Sequence, residues 1–122
     1  MEQFRQIIDT YFLNYDLYEK EKISFECDYG ELIFLKSDNK DDLILYAIYI
    51  SPQYRQNGLC RNILHYLIDK ISMTDKISSS TKFKNLCVQT VLSKVLYEYL
   101  LRFTYKGKKF KNKKGGFVYK IK

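Results

Sequence analysis

Between Ile48 and Leu64 the chain reads Ile-Tyr-Ile-Ser-Pro-Gln-Tyr-Arg-Gln-Asn-Gly-Leu-Cys-Arg-Asn-Ile-Leu, and this stretch has the clearest capacity for chemistry. An apolar run stops at Pro52, a polar turn follows with its one glycine at Gly58, and an apolar helical stripe then begins. A strand-to-helix turn of this kind exposes consecutive backbone N–H groups beside the helix donors that have no intrahelical partner. Such a cluster is a ready seat for phosphate. The helix dipole contributes roughly 0.3–2 kcal/mol toward a nearby anion, and Arg55 and Arg61 add mobile positive charge.

A second constellation is Leu86-Cys-Val-Gln-Thr-Val-Leu-Ser-Lys-Val-Leu-Tyr-Glu, ending at Glu98. It reads as a short buried strand running into a helix. Leu96, Tyr99 and Leu100 take the inward stripe of that helix, which leaves Tyr97 on a flank facing elsewhere. A phenol on such a flank, with its ordinary pKa of ~10, is a candidate proton donor. A plain packing tyrosine is the competing reading, since the chain holds twelve. Thr90 and Ser93 offer hydroxyls near the helix start.

Other reactive groups carry less. Cys27, Cys60 and Cys87 are far apart with no C-x-x-C pair, and only one histidine accompanies them. That pattern argues against a zinc site or a disulfide framework and for a reducing, cytoplasmic setting. Cys60 at a helix start could carry a lowered pKa, yet no histidine partner stands in sequence; Cys27 and Cys87 read as core. His65 and Asp69, one turn apart, read as a surface pair. Glu26, Asp28, Glu31 and Asp42 lie at strands or strand ends where a general base could act through water, and each reads first as a solvated carboxylate.

The elements that must hold these residues follow from periodicity. Phe4, Ile7, Ile8, Tyr11, Phe12, Tyr15 and Tyr18 predict a helix over 3–20. Ile23–Asp28 and Glu31–Ser37 predict two strands, with Gly30 at a turn position needing positive φ. Leu43–Ser51 is apolar at odd and even positions alike, so a central strand covered on both faces is expected. A helix from about Gly58 to Ser72, a loop over Ile77–Lys84, a strand at Leu86–Val91 and a helix through Phe103 come next. One hairpin, with strands near Phe103–Lys106 and Phe117–Ile121, closes the chain around a lysine-rich stretch. Consecutive early strands imply antiparallel pairing and helical crossovers imply parallel pairing. The fold class expected is α/β: one domain, three layers, a mixed central sheet flanked by helices and a C-terminal hairpin.

Composition agrees with a single core: 122 residues, 46% hydrophobic and 16% aromatic, are too apolar for a disordered tail. The longest apolar run has strand length, so no membrane contact is expected, and the first ten residues hold no secretory apolar region. The net charge of +7 comes from eight lysines after residue 105, because residues 1–105 carry 13 basic and 14 acidic side chains. That end reads first as a solvated hairpin, then as an attractor for an anionic substrate or cofactor, and last as a nucleic-acid contact. A homodimer is compatible with such a domain.

The first constellation resembles the acetyl-CoA signature of the GNAT N-acetyltransferases: an apolar strand, a proline two residues later, then Arg/Gln-x-x-Gly-x-Gly/Ala opening a helix. Arg55, Gly58 and Cys60 occupy the three key positions, and Ile50, Pro52, Tyr54 and Ile63-Leu64 match the flanks. Cys60 stands where the family prefers Gly or Ala, and Gln56 replaces a frequent glycine. The second constellation is similar to the family's other landmark, with Thr90 where Asn is usual and Tyr97 at the tyrosine that returns a proton to the CoA thiolate. The resemblance covers about residues 23–122, with a shortened N-terminal part. It implies a cleft between two parallel strands. The main chain of Ile48, Tyr49 and Ile50 would pair with the pantetheine arm, and Arg55, Gln56, Asn57, Gly58, Leu59, Cys60 and Arg61 would hold the pyrophosphate. It implies acetyl-CoA as acyl donor, an amine acceptor whose identity the sequence leaves open, and no metal. A GNAT-like module that binds CoA without turnover is the alternative.

Overall fold

Helix α1 spans Glu2–Leu13, and its buried residues Phe4, Ile8, Tyr11 and Phe12 repeat the three-and-four spacing of the sequence. The computed structural model that shows this describes residues 1–73, 83–89, 94–113 and 116–121. The helix stops well short of residue 20. Asn14 leaves helical geometry at φ −106°, ψ 14°, and the chain tightens into a 3-10 turn over Tyr15–Leu17. Asparagine competes with helical backbone bonds, which makes it a natural stop. The tighter turn still returns Tyr15 and Tyr18 to Tyr11, with ring centroids 5.4 and 5.5 Å away. Tyr11 in turn stacks on Phe34 of the sheet at 4.2 Å, a contact worth about 0.5–1.5 kcal/mol beyond its buried area.

The remaining elements are β1 (Lys22–Cys27), β2 (Gly30–Leu35), β3 (Asp42–Ile50), α2 (Leu59–Met73), β4 (Asn85–Gln89), α3 (Lys94–Arg102), β5 (Thr104–Tyr105), β6 (Lys108–Lys109), β7 (Lys111–Lys113) and β8 (Gly116–Lys120). Six strands form one mixed sheet in the order β1-β2-β3-β4-β8-β7. Among the described strands only β3 and β4 run parallel, with α2 between them in the chain as the helical crossover predicts. The mixed sheet with flanking helices is the fold class expected. At Gly30 a close approach explains the residue: a Cβ there would sit 1.9 Å from the Tyr49 carbonyl oxygen across the β2–β3 pair.

Three expectations need correction. The C-terminal segment forms two hairpins instead of one. Lys106 and Gly107, at φ 51° and 77°, make a two-residue turn between β5 and β6, and β7 pairs with β8 in the main sheet. Phe110 divides the two: alone among lysines it is buried, its ring 5.5 Å from Phe103 and 5.1 Å from Tyr119. Next, β3 is not equally covered on both faces. Leu43 and Leu45 are fully buried, whereas Ile44 and its neighbours across the sheet, Cys87 and Val118, are half-buried. Cys27 and Cys87 are accordingly half-buried, not core.

One irregularity positions the site. Ile33 pairs with Ala47 but Phe34 pairs with Leu45, so Tyr46 is an extra residue in β3. A bulge bends its strand and strengthens its twist. The parallel ladder with β4 ends at the residue just before it, at the pair Leu45–Val88.

Candidate active site at the parting of β3 and β4

Beyond Leu45 the strand continues to Ile50 with β2 alone as its hydrogen-bonding neighbour among the described residues. One side of the Tyr46–Ile50 main chain, including the predicted Ile48, Tyr49 and Ile50, therefore has no strand partner among the described residues. An open strand edge of this kind accepts an extended ligand as an added strand.

The strand ends in the turn that the sequence singles out. The Ser51 N–H donates to the Tyr29 carbonyl at 2.9 Å, and Pro52–Tyr54 form a 3-10 turn. Within it the Tyr54 and Arg55 amides are used by the Ser51 and Pro52 carbonyls. The next six, from Gln56 to Arg61, have no acceptor among the described residues; the first helical bond runs from the Asn62 N–H to the Gly58 carbonyl. Gln56 and Gly58 both hold positive φ, at 67° and 74°. A Cβ at Gly58 would meet nothing within 4 Å, so the space above the turn is open. No acidic side chain occupies the first turn of α2. Free donors, an open surface and the positive end of a helix coincide here, which is the donor set a diphosphate needs.

The predicted side chains divide by role. Arg55 is exposed yet tethered: its Nε donates to the Ile50 carbonyl at 2.8 Å, and its guanidinium lies 5.5 Å from the Tyr49 ring centre. It ties the turn to the strand end. Gln56, Asn57, Gly58 and Arg61 are exposed, and Leu59 and Cys60 are half-buried against the core. Burial pushes the Cys60 thiol up to about 11. Desolvation thus outweighs the helix dipole, and the thiol is neutral at pH 7 instead of a nucleophile.

Tyr97 lies on α3 beside the last described pair of β3 with β4. Its ring packs edge-on against Phe117 at 5.1 Å, and its hydroxyl accepts a hydrogen bond from Asn112 Nδ2 at 2.8 Å. Phe117 pairs with both Val88 and Asn112, so Tyr97 sits over the row Leu45–Val88–Phe117–Asn112, where the parallel ladder stops. It packs on the sheet instead of facing away. A phenol oxygen that accepts from an amide keeps its own proton for another acceptor. Thr90 and Ser93 lie outside the described residues.

Register separates the four carboxylates. Glu31 pairs across from Tyr49 in the open half of β3 and accepts from the Ser24 hydroxyl. Asp28 is clasped by Gln3, which donates from Nε2 and accepts the Asp28 N–H, both at 2.9 Å. Asp42 begins the paired half and accepts from Asn85 Nδ2 at 2.8 Å, at the far end of the strand. Glu26 is exposed opposite Glu31. The expected His65–Asp69 surface pair does not form. Asp69 takes the Tyr105 hydroxyl, while the His65 ring lies 4.5 Å from Tyr105 with its Nε2 buried and unpartnered. Desolvation and nearby Arg61 lower its pKa.

Two residues escaped the sequence reading. Asn112 is hidden among lysines, and only the β7–β8 register brings it to Tyr97. Tyr99 was expected in the core stripe, yet its buried hydroxyl has no partner. Two positions along a helix turn the side chain by about 200°, so Tyr97 and Tyr99 look in opposite directions from α3. Among the described residues no group of three His, Cys, Asp or Glu could hold a metal ion, and no described helix is long and apolar enough to cross a membrane.

No family model matches this chain, and no curated protein does. Among solved structures it is similar to a protein of Klebsiella pneumoniae subsp. pneumoniae assigned as an acyl-CoA N-acyltransferase. The two are 16% identical over 95% of this chain and 84% of that one, with a TM-score of 0.45. It is also similar to the ribosomal-protein-S18-alanine N-acetyltransferase of Escherichia coli, at 16% identity over 85% of this chain and 68% of that one, TM-score 0.44. Overlaps of this extent carry no functional argument, so function is argued from the site's own geometry.

Proposed function

We propose that this chain is an N-acetyltransferase that moves an acetyl group from acetyl-CoA to a primary amine. The observation that carries the reading is the run of six amides, Gln56 to Arg61, that have no partner among the described residues, directly after a strand whose last five residues have one edge unpaired among those same residues. A long ligand with a diphosphate at one end and amide groups along its arm would satisfy both features. The donor supplies its acyl group as a thioester. A lysine-like amine is only about a thousandth neutral near pH 7.4, so its proton must leave, through water, toward a carboxylate such as Glu31. The nitrogen bonds to the carbonyl carbon while the carbon–sulfur bond breaks. Main-chain N–H groups at the strand parting polarise the carbonyl oxygen, and Tyr97 gives its proton to the departing sulfur. Attraction of nucleic acid by the exposed lysines of β6–β8 is the minor proposal; a salt-insensitive or absent affinity would dismiss it.

Titration calorimetry with acetyl-CoA, followed by a thiol-release assay across lysine peptides, polyamines and aminoglycosides, tests the reading. Saturable binding with amine-dependent thiol release is the expected result. Binding with no release for any amine would leave a CoA-binding module, and no binding would remove the proposal.

A further inference from the structure

Side-chain alternation along the strands gives the six-stranded sheet two unlike faces. Phe34, Leu43, Leu86 and Phe117 stand on one of them, all buried, and the rings of Tyr11 from α1 and Tyr97 from α3 pack there. On the other face no described side chain is fully buried. Its middle is nonetheless apolar. Leu35, Ile44, Cys87 and Val118 form one unbroken row across β2, β3, β4 and β8, with Ile33 and Ala47 paired in the next row. The outward face of a sheet that meets water is normally polar, and a contiguous apolar patch with a charged rim marks an interaction surface.

The two rims of this face are opposite in sign. At the β1 edge Glu26 stands directly across from Glu31. At the β7 edge Lys111 and Lys113 lie across from Val118 and Gly116, and Lys120 follows on β8. The one cation of β1, Lys22, holds its Nζ 5.0 Å from the Tyr46 ring centre. Like charges directly opposite in a ladder are destabilising, so each rim carries an excess that the other would relieve. They sit at opposite edges of the sheet and cannot meet within one chain.

We propose that this face binds a second copy of the chain, sheet against sheet, about a two-fold axis running along the strands between β3 and β4. Such an axis lays β1 of one copy over β7 of the other, β2 over β8 and β3 over β4. Acidic rim meets basic rim twice, and the apolar row meets its own reversed copy, with Ile44 over the partner's Cys87. The contact is isologous, as closed dimers require, and packs two sheets about 10 Å apart. Six strands ~4.8 Å apart and about five residues long present roughly 500 Å² on each copy, which reaches the roughly 1,000 Å² of a specific interface. Because β3 points the same way in both copies, the two amide turns open at one end of the dimer. The inference stands on the sheet alone and does not depend on the transferase reading.

Sedimentation velocity across about 1–200 μM tests it. The native chain should become dimeric within that range, and Ile44→Glu should remain monomeric throughout, with a thermal melt showing that it is folded. Exposed rim residues supply variants that leave the core untouched. Glu26→Lys and Lys113→Glu should each weaken dimerisation about tenfold, and the two together should recover most of the native affinity, because reversing both rims restores their attraction. If Ile44→Glu fails to fold, the rim variants decide alone. A native chain that stays monomeric would overturn the proposal and leave the face to a different partner. A dimer that neither Ile44→Glu nor the single rim variants weaken would overturn it too, and so would single variants whose losses the double variant does not reverse.

Discussion

The two halves of β3 are made of the same kinds of residue and have opposite fates. Asp42–Leu45 is paired to β4, Ile44 and Leu45 to β2 as well, with Leu43 and Leu45 wholly buried. Beyond the bulge at Tyr46, Ala47–Ile50 is paired among the described residues to β2 alone, and Tyr49 is 50% exposed. An apolar strand normally spends its backbone donors and acceptors on the sheet. Here the bulge at Tyr46 bends the strand just past its last described pair with β4, so among the described residues the second half has one unpaired edge beside the amide turn. The comparison teaches that apolar composition sets how a strand is buried, while the ladder decides whether its main chain holds the fold or is left for a ligand.

Substitutions that separate these two roles give the largest effects. Leu45→Ala removes a fully buried side chain from the paired half and should cost about 2–5 kcal/mol; Tyr49→Ala in the open half should stay within about 0.5 kcal/mol. Urea unfolding of both checks the contrast, and equal costs would abolish the distinction between the halves. Tyr97→Phe comes next. It keeps the ring contact with Phe117 and removes the proton, so kcat should fall about 100-fold with coenzyme affinity and melting temperature nearly unchanged. Turnover kinetics at saturating donor decide this, and undiminished kcat would strip Tyr97 of its proton-donor role.

The same contrast shows what could be read from the chain. The turn from Pro52 to Arg61 was legible because proline, glycine and the onset of a helical stripe are local signals, and the structure puts the unpartnered amides there. The central strand was legible from its unbroken apolar run, but the bulge at Tyr46 was not: nothing in Leu-Tyr-Ala differs from an ordinary strand, and the extra residue exists only relative to β2. Phe110 was the overlooked local signal, an apolar residue inside a lysine run that splits one expected hairpin into two. The partner of Tyr97 was beyond reach, since Asn112 arrives only through the β7–β8 register. Arg55 lies in the turn as expected, and its bond to the Ile50 carbonyl, which ties turn to strand, is visible only in the folded chain.

Gly58→Ala probes the turn more gently. No atom obstructs a Cβ there, so the cost is the left-handed backbone alone, about 1–2 kcal/mol. Coenzyme affinity should drop by more than stability explains, because relaxing φ re-aims the amides around it. Calorimetry beside urea unfolding would show this, and a variant with native affinity would mean that the amides are not the grip.

The smallest effect follows from Cys60, whose thiol is pushed by burial from 9.0 to about 11. Below pH 9 the thiol is protonated whether the chain is folded or not, and it contributes nothing to pH dependence. Between pH 9 and 11 the unfolded chain gives up this proton while the folded chain keeps it, so stability should decline as pH rises through that window. Cys87 is raised to a similar value by burial and by the charge of Asp42, and it belongs to the paired half of the sheet. Cys60→Ala should therefore remove only part of the alkaline decline in the urea midpoint, and Cys60→Ala with Cys87→Ala should remove more. A decline unchanged by the single variant would mean that the Cys60 side chain is open to water, so that the start of α2 presents a thiol as well as its amides to any bound ligand.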